Sequence, residues 1–175
     1  MKVCLTGGIA CGKSLLSRYL RELGAETLDA DDVVHELLPD PEKRRRIAAE
    51  VFADPGKRRA LEARLHPLVK ERISRWMEGG DGRLRIAVVP LLFEVHWERN
   101  FDIICCVVSE RSMQIERMTS TRGYTREEAE SRLAAQMPVE EKAARSHYAI
   151  RNDGTPGQLK EEAAKFIAWL KEHRK

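Results

Sequence analysis

Residues 5–20 read LTGGIACGKSLLSRYL, and the fold follows from them. Gly7-Gly8-Ile9-Ala10-Cys11-Gly12-Lys13-Ser14 satisfies G-x-x-x-x-G-K-[ST], set between a short apolar run and a helical pattern. Each residue type has a physical reason to be there. Glycines let the backbone turn its N–H groups toward phosphate oxygens without a Cβ in the way. A helix opening near Lys13 adds its unbonded N–H groups and positive dipole end at the same point. The Lys13 ammonium reaches the β- and γ-phosphates, and the Ser14 hydroxyl can ligate Mg²⁺. Gly8, Ile9, Ala10, Cys11, Gly12, Lys13, Ser14 and Leu15 are therefore read as the residues that contact ATP; a bare glycine turn is the plain alternative.

Outward from the loop, Lys2 to Thr6 reads as a buried strand. Lys13 to Leu23 reads as a helix, with Leu15, Leu16, Tyr19, Leu20 and Leu23 on one face and Gly24 as its stop. AETLDA is a second strand, and DDVVHELL opens a helix that ends before Pro39 and Pro41. From Pro41 to Gly79 the pattern is helical and basic, with expected breaks at Asp54-Pro55-Gly56 and at His66-Pro67. A turn at residues 79–82 leads to LRIAVVPLLFE, and FDIICCVV follows; both are continuous apolar strands of the kind a parallel sheet buries on two faces. Ser109 to Met118 is helical, and Thr125-x-x-Glu128 signs the start of a helix to about Gln136. YAI is a brief last strand, and Leu159, Ala163, Phe166, Ile167 and Leu170 make the stripe of a C-terminal helix. Strands alternating with helices specify an α/β domain with a parallel sheet.

Composition narrows the class. The chain has 175 residues, 42% hydrophobic and 34% charged, which fits a globular domain and not a disordered one. A net charge of +3 spread along the chain gives no footprint for nucleic acid. No apolar run approaches the ~18 residues of a membrane span, and Gly7 and Gly8 interrupt any signal-peptide pattern, so a cytoplasmic protein is expected. Cys4, Cys105 and Cys106 read as buried structural thiols, whereas Cys11, inside the loop, is placed within reach of thiol reagents. No N-K-x-D or D-x-x-G motif occurs, which argues against a GTPase switch. A transferase must bring an acceptor to the γ-phosphate, and Asp29 and Asp31 follow the second strand, where ligands of open parallel sheets gather.

At this point the residues resemble the dephospho-coenzyme A kinases. LTGGIACGKS, LDADDVVHEL, VFADPGKRRALEARLHPLV, VVPLLFE, QIERMTSTRGYTREEAESRLAAQMPVEEK and IRNDG occur in the family's order and cover most of the chain. The resemblance implies a three-layer α/β/α P-loop NTPase fold with a five-stranded parallel sheet, a helical substrate lobe and a lid. It allots residues 1–30, 84–110 and 147–175 to the core, 31–83 to the lobe and 111–146 to the lid. It implies transfer of the ATP γ-phosphoryl group to the ribose 3′-hydroxyl of dephospho-coenzyme A, with Mg²⁺. Asp31, matching the second Asp of Asp-Ala-Asp, is then the catalytic base and a metal ligand beside Lys13 and Ser14; its plain alternative is a helix N-cap. Asp29 falls to a structural role. His66, Pro90, Leu91 and Glu94 match acceptor-site elements, Arg117 and Arg122 match lid arginines over the phosphates, and Asn152 lies near the adenine or in a plain turn. The expected partners are small molecules only, with the protein a monomer or weak homo-oligomer.

Two departures stand out. A stretch that many relatives carry in the substrate lobe is missing between HELLPD and RRRIAAEVFADPG, and His147 stands where the family usually has an acid. Two rivals remain at the level of sequence: another small-molecule or nucleotide kinase, and a non-catalytic ATP-binding module. Adenylate kinase-like loops usually carry a proline that Gly7 to Lys13 lacks, and a module without catalysis would be indifferent to Asp31→Asn.

Overall fold

The computed structural model describes residues 1–79 and 82–173. Five strands form one sheet in the order β2-β3-β1-β4-β5: β1 (Val3–Gly7), β2 (Glu26–Asp29), β3 (Arg85–Val88), β4 (Ile103–Val108) and β5 (Tyr148–Arg151). The pairs β1–β3, β1–β4 and β4–β5 are parallel, with Leu5 opposite Val88 on one side and Cys105 on the other. The α/β architecture expected from the sequence is the one formed. Every residue of β1 is buried, as a strand flanked on both edges and covered on both faces must be.

Helices α1 (Lys13–Glu22) and α8 (Pro156–Glu172) pack against each other beside this sheet, and the short α7 (Val139–Ala144) lies on β1 and β4. Leu16 and Leu20 of α1 are fully buried, as are Leu159, Ala163, Phe166 and Leu170 of α8 or nearly so. Each large apolar side chain removed from water contributes about 1.5–3 kcal/mol. Gly24, at φ 92, stops α1 in the left-handed conformation a side chain would resist. Thr125 and Glu128 form the full capping box of α6 (Arg126–Ala134), through Glu128 N to Thr125 Oγ1 at 3.2 Å and Thr125 N to Glu128 Oε2 at 2.8 Å.

The chain divides into two compact units, one of residues 1–27 with the chain from Arg83 onward, the other Leu28–Gly82. The second unit holds α2 (Ala30–Leu37), α3 (Pro41–Ala53) and α4 (Pro55–Glu78), with α4 packed against both others. Val33, Val69 and Ile73 are its buried contacts, and Arg72 pairs with Glu36 at 3.3 Å. The break at Asp54 is present, where the carboxylate caps α4 through Gly56 N at 2.7 Å. The break expected at His66-Pro67 is absent, since α4 runs through Pro67. Pro67 and Ala63, whose carbonyl the ring cannot serve, are both exposed, so solvent can take that acceptor while Val69 and Ile73 anchor the helix.

Other boundaries also differ. α5 (Arg111–Arg122) starts two residues later than the pattern suggests and runs four further, to Gly123 at φ 67. Ser109 and Glu110 are held in the turn before it, by Ser109 Oγ to the Asn152 carbonyl and Glu110 N to Asp153. α6 ends at Ala134, short of Gln136, and α7 was not anticipated. Gly80 and Asp81 of the expected turn lie outside the described residues. Among the described residues no helix is long and apolar enough to cross a membrane.

Candidate active site

Gly8 to Gly12 join β1 to α1, and the carbonyls of this loop are engaged one by one. Lys13 Nζ donates to the Gly7 and Gly8 carbonyls at 3.1 and 2.8 Å. Gln114 Nε2 donates to Ile9 O at 2.7 Å, an Arg117 guanidinium nitrogen to Ala10 O at 3.3 Å, and Asn152 Nδ2 to Cys11 O at 2.8 Å. Leu16 N, the first bond of α1, takes Gly12 O at 3.0 Å. All six carbonyls from Gly7 to Gly12 thus have donors, while the amides of Ile9, Ala10, Gly12 and Ser14 donate to nothing among the described residues. Such a strand-to-helix turn presents unbonded N–H groups and a helix dipole to an anion.

Backbone conformation agrees with this use. Ala10 sits at φ 58 and Gly12 at φ 93, both left-handed. A Cβ at Gly12 would stand 2.2 Å from Asn152 Nδ2, so only glycine admits both the turn and its neighbour.

The structure brings Gly8 through Leu15, Arg117 and Asn152 together. Arg117 also donates to Ser109 Oγ at 2.9 Å and to Asn152 O at 2.6 Å, so its guanidinium is a strut inside this cluster. Asn152 is buried and supports the loop, which a plain turn residue would not do. Arg122 is exposed in the last turn of α5. Gln114 was not anticipated: a polar helix residue reads as solvated, yet it is 3% exposed.

Cys11 is also not where the sequence reading put it. The thiol is fully buried, and burial pushes its pKa up, so it is out of reach of reagents. Its Sγ accepts from Gln114 Nε2 at 3.1 Å.

Pro90, Leu91 and Glu94 follow β3 in the same unit. Thr6 Oγ1 and Lys142 Nζ both donate to the Pro90 carbonyl, at 3.4 and 2.9 Å. Lys142 is 0% exposed and pairs with Glu94 Oε1 at 2.6 Å, and that same oxygen accepts from Met137 N at 3.1 Å. Glu94 Oε2 is buried without a partner among the described residues. Leu91 is exposed. Lys142, like Gln114, carried no signal in the sequence, because EEKAAR has the composition of a solvated helix. His147, in place of the expected acid, accepts from Ile104 N through Nδ1 at 3.0 Å and ties the start of β5 to β4.

Asp31 and His66 belong to the second unit. Asp29, not Asp31, is the N-cap of α2: its Oδ1 accepts from Asp31 N at 2.9 Å. The strand ends at Asp29, and Asp31 lies in the helix that follows. Asp31 is left in the first turn, exposed, with a carboxylate that makes no hydrogen bond among the described residues. His66 is half-buried on α4.

Comparison with known proteins is consistent with this geometry. The family model CoaE, dephospho-CoA kinase, matches residues 1–44 and 40–158. The two matched segments meet at the place where the sequence lacks a stretch of the lobe. The dephospho-CoA kinase of Geobacter sulfurreducens is 36% identical over 180 aligned positions, spanning 89% of this chain and 91% of that protein. That of Symbiobacterium thermophilum is 41% identical over 175, spanning 86% and 73%. A crystal structure from Thermus thermophilus superposes with a TM-score of 0.81 at 30% identity, covering 97% of each chain.

Proposed function

The chain belongs to the dephospho-CoA kinase family, and from that premise we propose how its residues perform the reaction. The reaction is ATP-dependent phosphorylation of the ribose 3′-hydroxyl of dephospho-coenzyme A, giving coenzyme A and ADP, the final step of coenzyme A synthesis. A bond forms between the 3′-oxygen and the γ-phosphorus while the bond to the β–γ bridging oxygen breaks. ADP leaves, and the hydroxyl proton passes to a base.

We assign that base to Asp31. A carboxylate suits the task, and because Asp29 caps α2, both oxygens of Asp31 are available to a proton or a cation. The amides of the loop from Gly8 to Ser14 and the Lys13 ammonium take the phosphate oxygens and spread the charge of the transferring group. Mg²⁺ would neutralise charge on the β- and γ-phosphates; Ser14, whose exposed hydroxyl has no partner among the described residues, and Asp31 offer the oxygen donors a hard cation takes. Arg122 is assigned to the phosphates directly, Arg117 to the loop that holds them, and the turn at Asn152 to the adenine side.

The acceptor is assigned to His66 and to the Pro90–Leu91 segment, with Glu94 anchoring that segment through Lys142. Residues 111–146 act as a lid that excludes water from the phosphoryl group. The protein works in the cytoplasm as a monomer or weak homo-oligomer.

The observation that carries the reading is the loop whose six carbonyls all have donors while the amides of Ile9, Ala10, Gly12 and Ser14 have no acceptor among the described residues. The test is a panel of acceptors with ATP and Mg²⁺, run on wild type and Asp31→Asn. Dephospho-coenzyme A should turn over and nucleoside monophosphates should not. Asp31→Asn should lower kcat by roughly 10²–10⁴-fold with a much smaller change in ATP affinity. An Asp31→Asn enzyme at wild-type rate refutes the assignment of the base.

A further inference from the structure

We infer that Gln114 is a positioning residue for the ATP phosphates: it aims one amide of the loop, as one of two side chains that each aim one. The argument begins with the peptide unit. In a trans peptide the C=O and the following N–H lie in one plane and point in opposite directions, and this chain has no cis bond among the described residues. Whatever fixes the carbonyl of one residue therefore fixes the amide of the next, in the opposite direction.

Gln114 Nε2 at 2.7 Å from Ile9 O sets the Ile9–Ala10 plane, and with it the Ala10 N–H. Asn152 sets the Cys11–Gly12 plane, and with it the Gly12 N–H, in the same way, whereas the Ala10–Cys11 plane held by Arg117 turns its Cys11 N–H back to Gly8 O at 3.3 Å. The three donors come from α5 and from the end of β5, so consecutive planes are held from two different elements. Gln114 has the strongest claim to a specific role. It is buried at 3% exposure on a helix, where a polar side chain without partners is costly, and its amide nitrogen serves both the Ile9 carbonyl and the Cys11 thiol. Gly8 adds a constraint: a Cβ there would stand 2.6 Å from Gln114 Nε2 and 2.9 Å from Cys11 Sγ. The glutamine amide is thus packed directly against the loop, at a place where only glycine leaves it room.

The consequence is preorganisation. Without the Gln114 donor, the Ile9–Ala10 plane is free to rotate, the Ala10 N–H no longer points at the phosphate, and binding must order it again. The inference rests on the phosphate-loop reading above but not on the identity of the acceptor. It is therefore tested by nucleotide binding alone, and a failure to phosphorylate dephospho-coenzyme A would leave the test intact.

The experiment measures the affinity of wild type, Gln114→Met and Gln114→Glu for ADP and for tripolyphosphate by calorimetry. Both substitutions keep the length of the side chain and remove the donor; the second also sets a carboxylate oxygen against the Ile9 carbonyl, and it serves if the first fails to fold. Affinity should fall about tenfold in each variant, the size expected for one lost hydrogen bond, and equally for both ligands. Alkylation of Cys11 by iodoacetamide, followed at that residue by mass spectrometry, should speed up in the variants and slow again with ADP. A fall confined to ADP would place the residue on the purine side and overturn the inference. So would a lower melting temperature with unchanged affinities, which is the mark of a packing role.

Discussion

Lys142→Met should destabilise the protein by about 3 kcal/mol. The ammonium is 0% exposed, its two acceptors are Glu94 Oε1 at 2.6 Å and Pro90 O at 2.9 Å, and the substitution takes a donor from each and the counter-charge from Glu94. Breaking one side of a buried ion pair costs about 3–5 kcal/mol, because the remaining charge stays desolvated. The Glu94 side chain is 22% exposed and can recruit water, and Thr6 Oγ1 still serves Pro90 O, so the lower end of that range applies. For a chain of this length the loss corresponds to roughly 6–12 °C in melting temperature. Glu94→Leu alone should be as severe, since it leaves an ammonium with no exposure and no counter-charge. The double variant Glu94→Leu/Lys142→Met removes both charges, and its cost reduces to Met137 N losing its acceptor and Pro90 O one of its two donors, about 2 kcal/mol. Urea unfolding followed by circular dichroism gives the three values. The double variant should be more stable than the sum of the singles requires, by at least about 2 kcal/mol. A Lys142→Met protein within about 1 kcal/mol of wild type, or singles that simply add, would refute the reasoning.

Two further outcomes follow from the loop and from the thiols. Gly12→Ala sets a Cβ against Asn152 Nδ2 at φ 93, so Asn152 must release the Cys11 carbonyl; ADP affinity measured by calorimetry should fall more than about tenfold. Burial raises the pKa of Cys4, Cys11, Cys105 and Cys106 above the ordinary 9.0, Cys106 to about 12. The unfolded chain therefore loses these protons first, so their stabilisation is complete below pH 9 and declines as pH rises toward 12. Cys106, pushed up to about 12, contributes a slope of about 1.4 kcal/mol per pH unit between those limits. Unfolding free energies from urea titrations between pH 9.5 and 11.5 should decline less steeply in Cys106→Ala than in wild type by that amount, and parallel slopes would contradict it.

Much of this was legible in the sequence because it depends on neighbours in the chain. The loop and α1 follow from glycines next to an apolar strand, α6 from Thr125 and Glu128, and the face of α8 from spacing alone. Pro67 misled because helix breaking is a local rule that side chains packed further along α4 can override. α7 has six residues, too few for any periodicity to show. The N-cap offered as the plain alternative for Asp31 falls on Asp29 because a cap depends on where the strand stops. Gln114 and Lys142 were invisible for a different reason. Their composition says solvent, and only the fold of distant segments puts a carbonyl or carboxylate against each of them.

The bonds that shape the loop also set when it can exist. Ile9, Ala10 and Cys11 receive their donors from residues 105, 107 and 141 positions later. During vectorial synthesis the glycine-rich segment emerges from the ribosome early, yet it stays slack until β5 has docked, a late step for contacts of such separation. A half-made chain would therefore have little grip on the abundant nucleotides around it. Capture of ATP waits on the strand that carries Asn152 into place.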